Sequence, residues 1–200
     1  MTFEGGEGSG KSTQAGLLNR RLGKEGYRAA FVREPGGTEL GEELRNVLMH
    51  RGTNISAEAE LLLFLAARAE LVRKVIRPAL EEGVVVCDRF ADSTLAYQGY
   101  GRGLDLKAIR DLNNWATGGL SADLTVLLDL PVDAGRRRKQ ADDDTFTRED
   151  DAFHERVRQG YAALAAAEPA RWLVIDGALP PEVAAERTWE RVRGLLIPKA

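Results

Sequence analysis

The chain is poor in cysteine, in long apolar runs and in excess charge of either sign. Cys87 is the single cysteine in 200 residues, so no disulfide can form within the chain. It follows Val84-Val85-Val86 and reads as a buried thiol. No apolar run approaches the ~20 residues that span a bilayer, and the first residues do not resemble a signal peptide. The expected compartment is therefore the cytosol, with no membrane partner. The 28 Lys and Arg nearly cancel the 31 Asp and Glu, leaving a net charge of −3 that argues against non-specific nucleic-acid binding. Neither internal repeats nor a low-complexity linker divide the chain. With 44% apolar and 30% charged residues, positions 1–200 read as one domain with enough chain for a core.

What is present begins almost at once. Gly5-Gly6-Glu7-Gly8-Ser9-Gly10-Lys11-Ser12 fits G-x-x-x-x-G-K-[ST], a phosphate-binding loop. Its glycines, Gly5, Gly8 and Gly10 among them, let the backbone curl and aim N–H groups inward. Lys11 can reach β- and γ-phosphates, and the Ser12 hydroxyl suits Mg²⁺. Thr13 continues into a helix expected over 11–24, whose positive end faces the same anion, with Gly26 as its exit.

Beyond the loop, apolar strands alternate with helices. Strands are expected over 1–4, 29–32, 84–90, 123–130 and 172–176. Helices are expected over 39–50, 57–80, 106–117, from 134, 152–167 and 180–196. Ser56 is the expected N-cap of the long helix. Its stretch 60–69 is apolar on all sides and reads as buried. Gly99, Gly101 and Gly103 read as a flexible connection. This alternation predicts a three-layer α/β/α fold with a mostly five-stranded parallel sheet.

Polar residues cluster where strands end, the edge at which open α/β sheets bind ligands. Arg33-Glu34-Pro35-Gly36-Gly37-Thr38 follows the second strand, and Arg33 and Glu34 are expected to point into the site. Asp88 and Arg89 follow the third. Asp88 suits Mg²⁺ through water or the orientation of an attacking oxygen, and Arg89 suits bridging phosphates. Ser93 and Tyr97 share a helical face. Phe64 and Arg68 also share one. That pair is either a platform and fork for a planar ligand or a core phenylalanine beside a snorkelling arginine, and spacing alone favours the latter. A basic block from Arg136 to Lys139 and the acidic run Asp142-Asp143-Asp144 make a solvated segment of the kind that closes over phosphoryl-transfer sites, a lid over about 138–151.

In order, GGEGSGKST, REPGGT, the FxxxR of Phe64 and Arg68, DRF with STLAYQG, LDLP and FHERVRQGY resemble the thymidylate kinases of bacteria along nearly the whole chain. The resemblance implies a nucleoside monophosphate kinase fold, a homodimer, and transfer of the γ-phosphoryl of Mg-ATP to dTMP, giving dTDP. It implies that Gly5, Gly8, Ser9, Gly10, Lys11, Ser12 and Thr13 hold ATP, with Ser12 and Asp88 at Mg²⁺. Phe64 would stack on thymine, Arg68 would bond its exocyclic oxygen, and Thr94 would lie near its N3 edge. Tyr97 would sit under the sugar, Glu7 would approach the 3′-hydroxyl, Arg33 and Arg89 would hold the acceptor phosphate, and Gln98 would border the pocket. Pro35 resembles the family's cis-proline.

One position departs from that pattern. Bacterial members carry a lid arginine in D-R-[FIL]-E, where this chain has Asp144-Thr145-Phe146-Thr147. Threonine replaces the arginine, so either the register is shifted, or the rate is low, or another lid cation serves, with Arg148, Arg138 and Lys139 as the candidates. Kinases for another nucleotide or for a deoxynucleoside are neighbouring readings, and Arg33 and Arg89 favour a monophosphate acceptor. A guanine-reading switch would carry N-K-x-D, and no asparagine here is followed by lysine. Intact Lys11, Ser12 and Asp88 argue against an inactive nucleotide binder.

Overall fold

The computed structural model describes residues 1–50, 55–138 and 145–196. Lys139, Asp142-Asp143-Asp144 and the rest of 139–144 within the expected lid lie outside them. Five strands form one parallel sheet: β1 (Thr2–Glu4), β2 (Ala29–Arg33), β3 (Val84–Asp88), β4 (Thr125–Asp129) and β5 (Trp172–Asp176), in the order β2-β3-β1-β4-β5. The described helices are α1 (Lys11–Lys24), α2 (Glu39–His50), α3 (Ala57–Leu71), α4 (Arg77–Glu82), α5 (Ala91–Thr94), α6 (Leu106–Thr117), α7 (Val132–Arg138), α8 (Asp151–Ala167) and α9 (Pro181–Arg193).

Alternation along the strands divides the core between two faces, because successive strand side chains point to opposite sides. Val86, Val126 and Leu128 pack with Leu18 and Leu22 of α1 and Trp189 and Val192 of α9. Leu127 faces the other way, into a cluster with Leu65 of α3, Ile109 of α6 and Tyr161 of α8. Val85 and Cys87 pack on Leu71 and Ile76. The sheet thus has helices on both faces, as the alternation predicts. Cys87 is buried, and burial pushes its thiol pKa well up.

Several boundaries follow from single residues. Ser56 caps α3 by accepting from the Ala59 N–H, and Asp105 and Asp150 do the same for α6 and α8. The third strand stops at Asp88 rather than Phe90 because Arg89 turns left-handed, with φ of 70°. The expected long helix over 57–80 is interrupted by a π-helical stretch, Val72–Ile76, before α4. A second π stretch, Leu95–Gly101, replaces the expected flexible connection at Gly99 and Gly101. Both glycines are buried there for want of space: a Cβ on Gly99 would meet Leu106 at 2.4 Å, and one on Gly101 would meet Phe153 at 2.7 Å. Nor is the stretch 60–69 buried all round, since Leu62 stands 57% exposed on the outer side of α3.

Candidate active site

β1 ends at Glu4 in the centre of the sheet, and the glycine-rich loop leaves from there. Gly5, Gly8 and Gly10 all have positive φ, and Gly10 precedes α1 in a left-handed conformation with no side-chain cap. The helix therefore opens its first N–H groups toward the loop. The loop also packs against a residue outside any motif. A Cβ on Gly8 would stand 2.2 Å from the carbonyl oxygen of Gly135 in α7, and one on Gly135 would stand 2.3 Å from that of Glu7. Only two glycines allow this approach.

Lys11 is buried and its Nζ donates to the Gly6 carbonyl at 2.6 Å. Burial, with Arg89 nearby, pulls its pKa down to about 8. The Ser12 hydroxyl donates to Asp88 Oδ2. Two hard oxygens from two elements thus meet beside the loop. That donor set suits Mg²⁺, which takes one or two protein oxygens together with phosphates and water. Among the described residues no group of three or more His, Cys, Asp or Glu forms a metal cage.

Arg89 joins the loop to the rest of the cavity. Its Nη2 donates to Glu7 Oε1 at 2.7 Å and to the Tyr97 hydroxyl at 3.2 Å, and its Nη1 donates to the Gly5 carbonyl at 3.2 Å. The Tyr97 hydroxyl in turn donates to Glu7 Oε1 at 3.1 Å. Beneath them Glu4 is fully buried and accepts from the Phe90 N–H, the Ser93 hydroxyl and the Tyr161 hydroxyl. Burial, reinforced by Asp92, raises its pKa to about 7. Glu4 does not stand out in the sequence, and FHERVRQGY contains Tyr161 without showing that it would meet Glu4.

Arg68 is only 1% exposed, which overturns the snorkelling reading. Its Nε and Nη2 both donate to Glu34 Oε2, at 2.9 and 2.6 Å. Its Nη1 donates to Thr94 Oγ1 at 2.8 Å and to Asn113 Oδ1 at 2.6 Å, and Nη2 also reaches the Phe90 carbonyl at 3.0 Å. All five N–H groups therefore have protein acceptors. Glu34 points inward as expected, its pKa raised by burial against the opposing pull of Arg68. The next peptide bond, Glu34–Pro35, is cis.

These groups line one cavity of about 360 Å³. Glu7, Gly8, Gly10, Lys11, Ser12 and Thr13 form its phosphate-loop wall, and Asp88 and Arg89 its floor. Arg33, Phe64, Arg68, Thr94, Tyr97 and Gln98 line the far side. Arg33 also pairs with Glu42 at 3.0 Å. Gly5 and Ser9 stay in the loop behind this wall. Arg138 and Arg148 are exposed and lie outside the lining; Arg138 instead donates to the Gly177 carbonyl at 2.6 Å. Thr145, at the expected arginine position, donates both its N–H and its hydroxyl to the Met49 carbonyl, at 3.1 and 3.2 Å. Arg45, Met49 and Phe146 line the cavity too. Arg45 and Met49 carry no motif, since both lie inside an ordinary amphipathic helix, and Phe146 holds the [FIL] position of the lid pattern.

Comparison with known proteins agrees with this arrangement. The sequence model of the family "Thymidylate kinase" matches residues 3–187. The chain belongs to the thymidylate kinase family. It is 54% identical over 196 residues to a thymidylate kinase of Thermomicrobium roseum, covering 96% of this chain and 93% of that protein. To one of Synechococcus sp. (strain JA-2-3B'a(2-13)) it is 57% identical over 193 residues, with the same coverage. The crystal structure of thymidylate kinase from Ehrlichia chaffeensis superposes with a TM-score of 0.78 at 35% identity, over 98% of this chain and 97% of that one. The family likeness thus spans both ends of the cavity, the phosphate loop and the Phe64–Arg68 wall.

Proposed function

We infer that this cavity carries out the thymidylate kinase reaction, ATP-dependent phosphorylation of dTMP to dTDP. The observation that carries the reading is that the phosphate loop and the Phe64–Arg68 wall open onto one cavity, with Arg89 between them. An acceptor-phosphate oxygen attacks the γ-phosphorus of ATP as the bond to the β-phosphate oxygen breaks. Such chemistry needs alignment and charge neutralisation rather than a covalent residue.

Lys11 and the loop N–H groups hold the ATP phosphates, and Arg33 and Arg89 hold the phosphate of dTMP. Phe64 offers its ring to thymine. Arg68 and Thr94 supply polar groups at the edge of the base, Tyr97 and Glu7 meet the sugar, and Gln98 borders the base. Ser12 and Asp88 would hold Mg²⁺, which would offset the charge on the β- and γ-phosphates. Arg138 and the neighbouring segment around Ala178 suit the nucleoside of ATP. Arg148 is the described cation nearest in sequence to Thr145, and we assign it the missing charge.

Residues 1–200 act as one catalytic domain, in keeping with a family match over 3–187. Leu62 on α3 and Trp115 on α6 are 57% and 81% exposed, and these two helices pack together, which supports a homodimer through that face. No helix among the described residues is long and apolar enough to cross a membrane, in keeping with a cytoplasmic enzyme.

The test is an ADP-release assay with Mg-ATP and dTMP, dUMP, dCMP, dGMP, AMP or thymidine in parallel. Strong preference for dTMP is expected; preference for another acceptor would overturn the base assignment while leaving the phosphate chemistry.

A further inference from the structure

Phe146 sits in the short segment between α7 and α8, and nothing in the phosphoryl-transfer chemistry calls for it. It is nonetheless 5% exposed and lines the cavity. Its ring lies 5.9 Å from that of Phe64, tilted by 51°, and meets Tyr97 edge-on at 5.6 Å.

Both sides of this residue are tied down. On one side, Thr145 donates twice to the Met49 carbonyl at the end of α2. On the other, Glu149 accepts from Arg102 Nη1 at 2.6 Å. Arg102 lies just past the second π stretch, with its guanidinium 5.8 Å above the Phe146 ring and 4.7 Å above Phe153. It also pairs with Glu60 at 3.0 Å, and Glu60 accepts from Gln98 Nε2 at 2.8 Å. Arg102 therefore fixes two cavity residues at once, Phe146 by the segment that bears it and Gln98 through Glu60.

A base held face to face between two rings needs about 7 Å between their centroids, two gaps of ~3.5 Å. Phe146 stands too close to Phe64, and too steeply inclined, to share such a sandwich. It serves instead as a wall of the same cavity, limiting the room for a ring lying on Phe64.

From this geometry we propose that Phe146 is a specificity-determining residue which sets the length of the base slot and admits a pyrimidine monophosphate while excluding a purine one, with Arg102 as its positioning residue. The proposal rests on the reading of Phe64 as the base platform. One-ring differences of this kind are large on the scale of pocket discrimination, where a single methylene already gives ~10–200-fold.

The test measures kcat/KM for dTMP and for dGMP, with the KM for ATP, in Phe146→Ala, Glu149→Gln and Phe64→Leu. The expected result for Phe146→Ala is a fall of about tenfold or more in the dTMP-to-dGMP ratio, carried by both KM values, with the ATP KM within about twofold. Glu149→Gln loosens the segment without removing the ring, and its part-exposed side chain spares the core. It should shift the ratio in the same direction by a smaller factor, which keeps the test open if Phe146→Ala does not fold. An unchanged ratio in the folded variants, with Phe64→Leu raising the dTMP KM, overturns the proposal and leaves the base pocket standing. No effect of Phe64→Leu on the dTMP KM overturns the base pocket, and this proposal with it.

Discussion

Arg68 places two of its N–H groups on the same oxygen of Glu34, Oε2, and among the described residues Oε1 has no hydrogen-bond partner at the cavity wall. The pair is almost wholly dry, at 1% and 4% side-chain exposure. It is therefore as much a structural element as a part of the base site.

Arg68→Ala should accordingly cost both binding and stability. Removing one member of a buried pair costs ~3–5 kcal/mol because the other charge is left uncompensated. Glu34, already raised by burial, would rise further without Arg68. The folded variant would then bind a proton that the unfolded chain releases above its ordinary value of 4.5, so its stability falls as pH rises. Denaturant unfolding at pH 5 and pH 8 should show the larger loss at pH 8. The dTMP KM should rise far more than the ATP KM; equal changes would argue against a base contact.

Lys11 gives nucleotide affinity a basic limit. Its pKa is drawn down to about 8, whereas phosphates at the loop favour the protonated amine and raise it. ATP affinity should fall as pH rises through that value, by roughly tenfold one unit above it. Calorimetric titration with Mg-ATP across pH 7–9.5 checks this, with a flat profile expected for Lys11→Met.

Glu4 acts on stability in the acidic range. Its folded pKa of about 7 stands above an ordinary 4.5. The folded chain therefore holds a proton that the unfolded chain loses between these values, and this group makes stability decline as pH rises from 4.5 to 7, with no further change above. Glu4→Gln should reduce the pH slope in that window by about one proton, read from unfolding free energies at successive pH values.

Gly135 tests the packing behind the loop. Gly135→Ala pushes a methyl group against the Glu7 carbonyl. A cost of ~1–3 kcal/mol is typical of such crowding, and it should appear as a raised ATP KM, with the dTMP KM raised as well through Glu7.

Arg148→Ala should lower turnover, on the order of 10³-fold or more, if this residue supplies the charge missing at Thr145. The dTMP KM should hardly move. Unchanged turnover would remove Arg148 from that role.

The sheet was legible because apolar strand runs and helical periods are local signals, and so was the phosphate loop, whose residues are contiguous. Ser56 and Gly26, at the exit of α1, were legible for the same reason. What escaped is chemistry assembled across distance. Asn113 meets Arg68 from α6, Tyr161 meets Glu4 from α8, and Gly135 meets Gly8 from α7. Asn113 and Gly135 carry no local pattern that marks them, and FHERVRQGY marks Tyr161 without giving its partner. The π stretches escaped because their sequence differs little from that of an ordinary helix, and the wide turn at Leu95–Gly101 is held by tertiary contacts around Gly99 and Gly101.

That wide turn makes residue count matter in a way composition does not. A π turn accommodates a surplus residue that an α-helix would have to absorb by rotation, about 100° for each position. Tyr97 and Gln98 lie within it, and Arg102 follows it directly. Deleting any one residue between Leu95 and Gly101 would let the backbone relax into a regular helix. The side chains after the turn would then keep their facing, because the turn had already absorbed the surplus residue. Arg102 would keep Glu60 and Glu149, whereas Tyr97 and Gln98, inside the turn, would lose the wide backbone that carries them to the cavity. A deletion here therefore acts on the site before it acts on the fold.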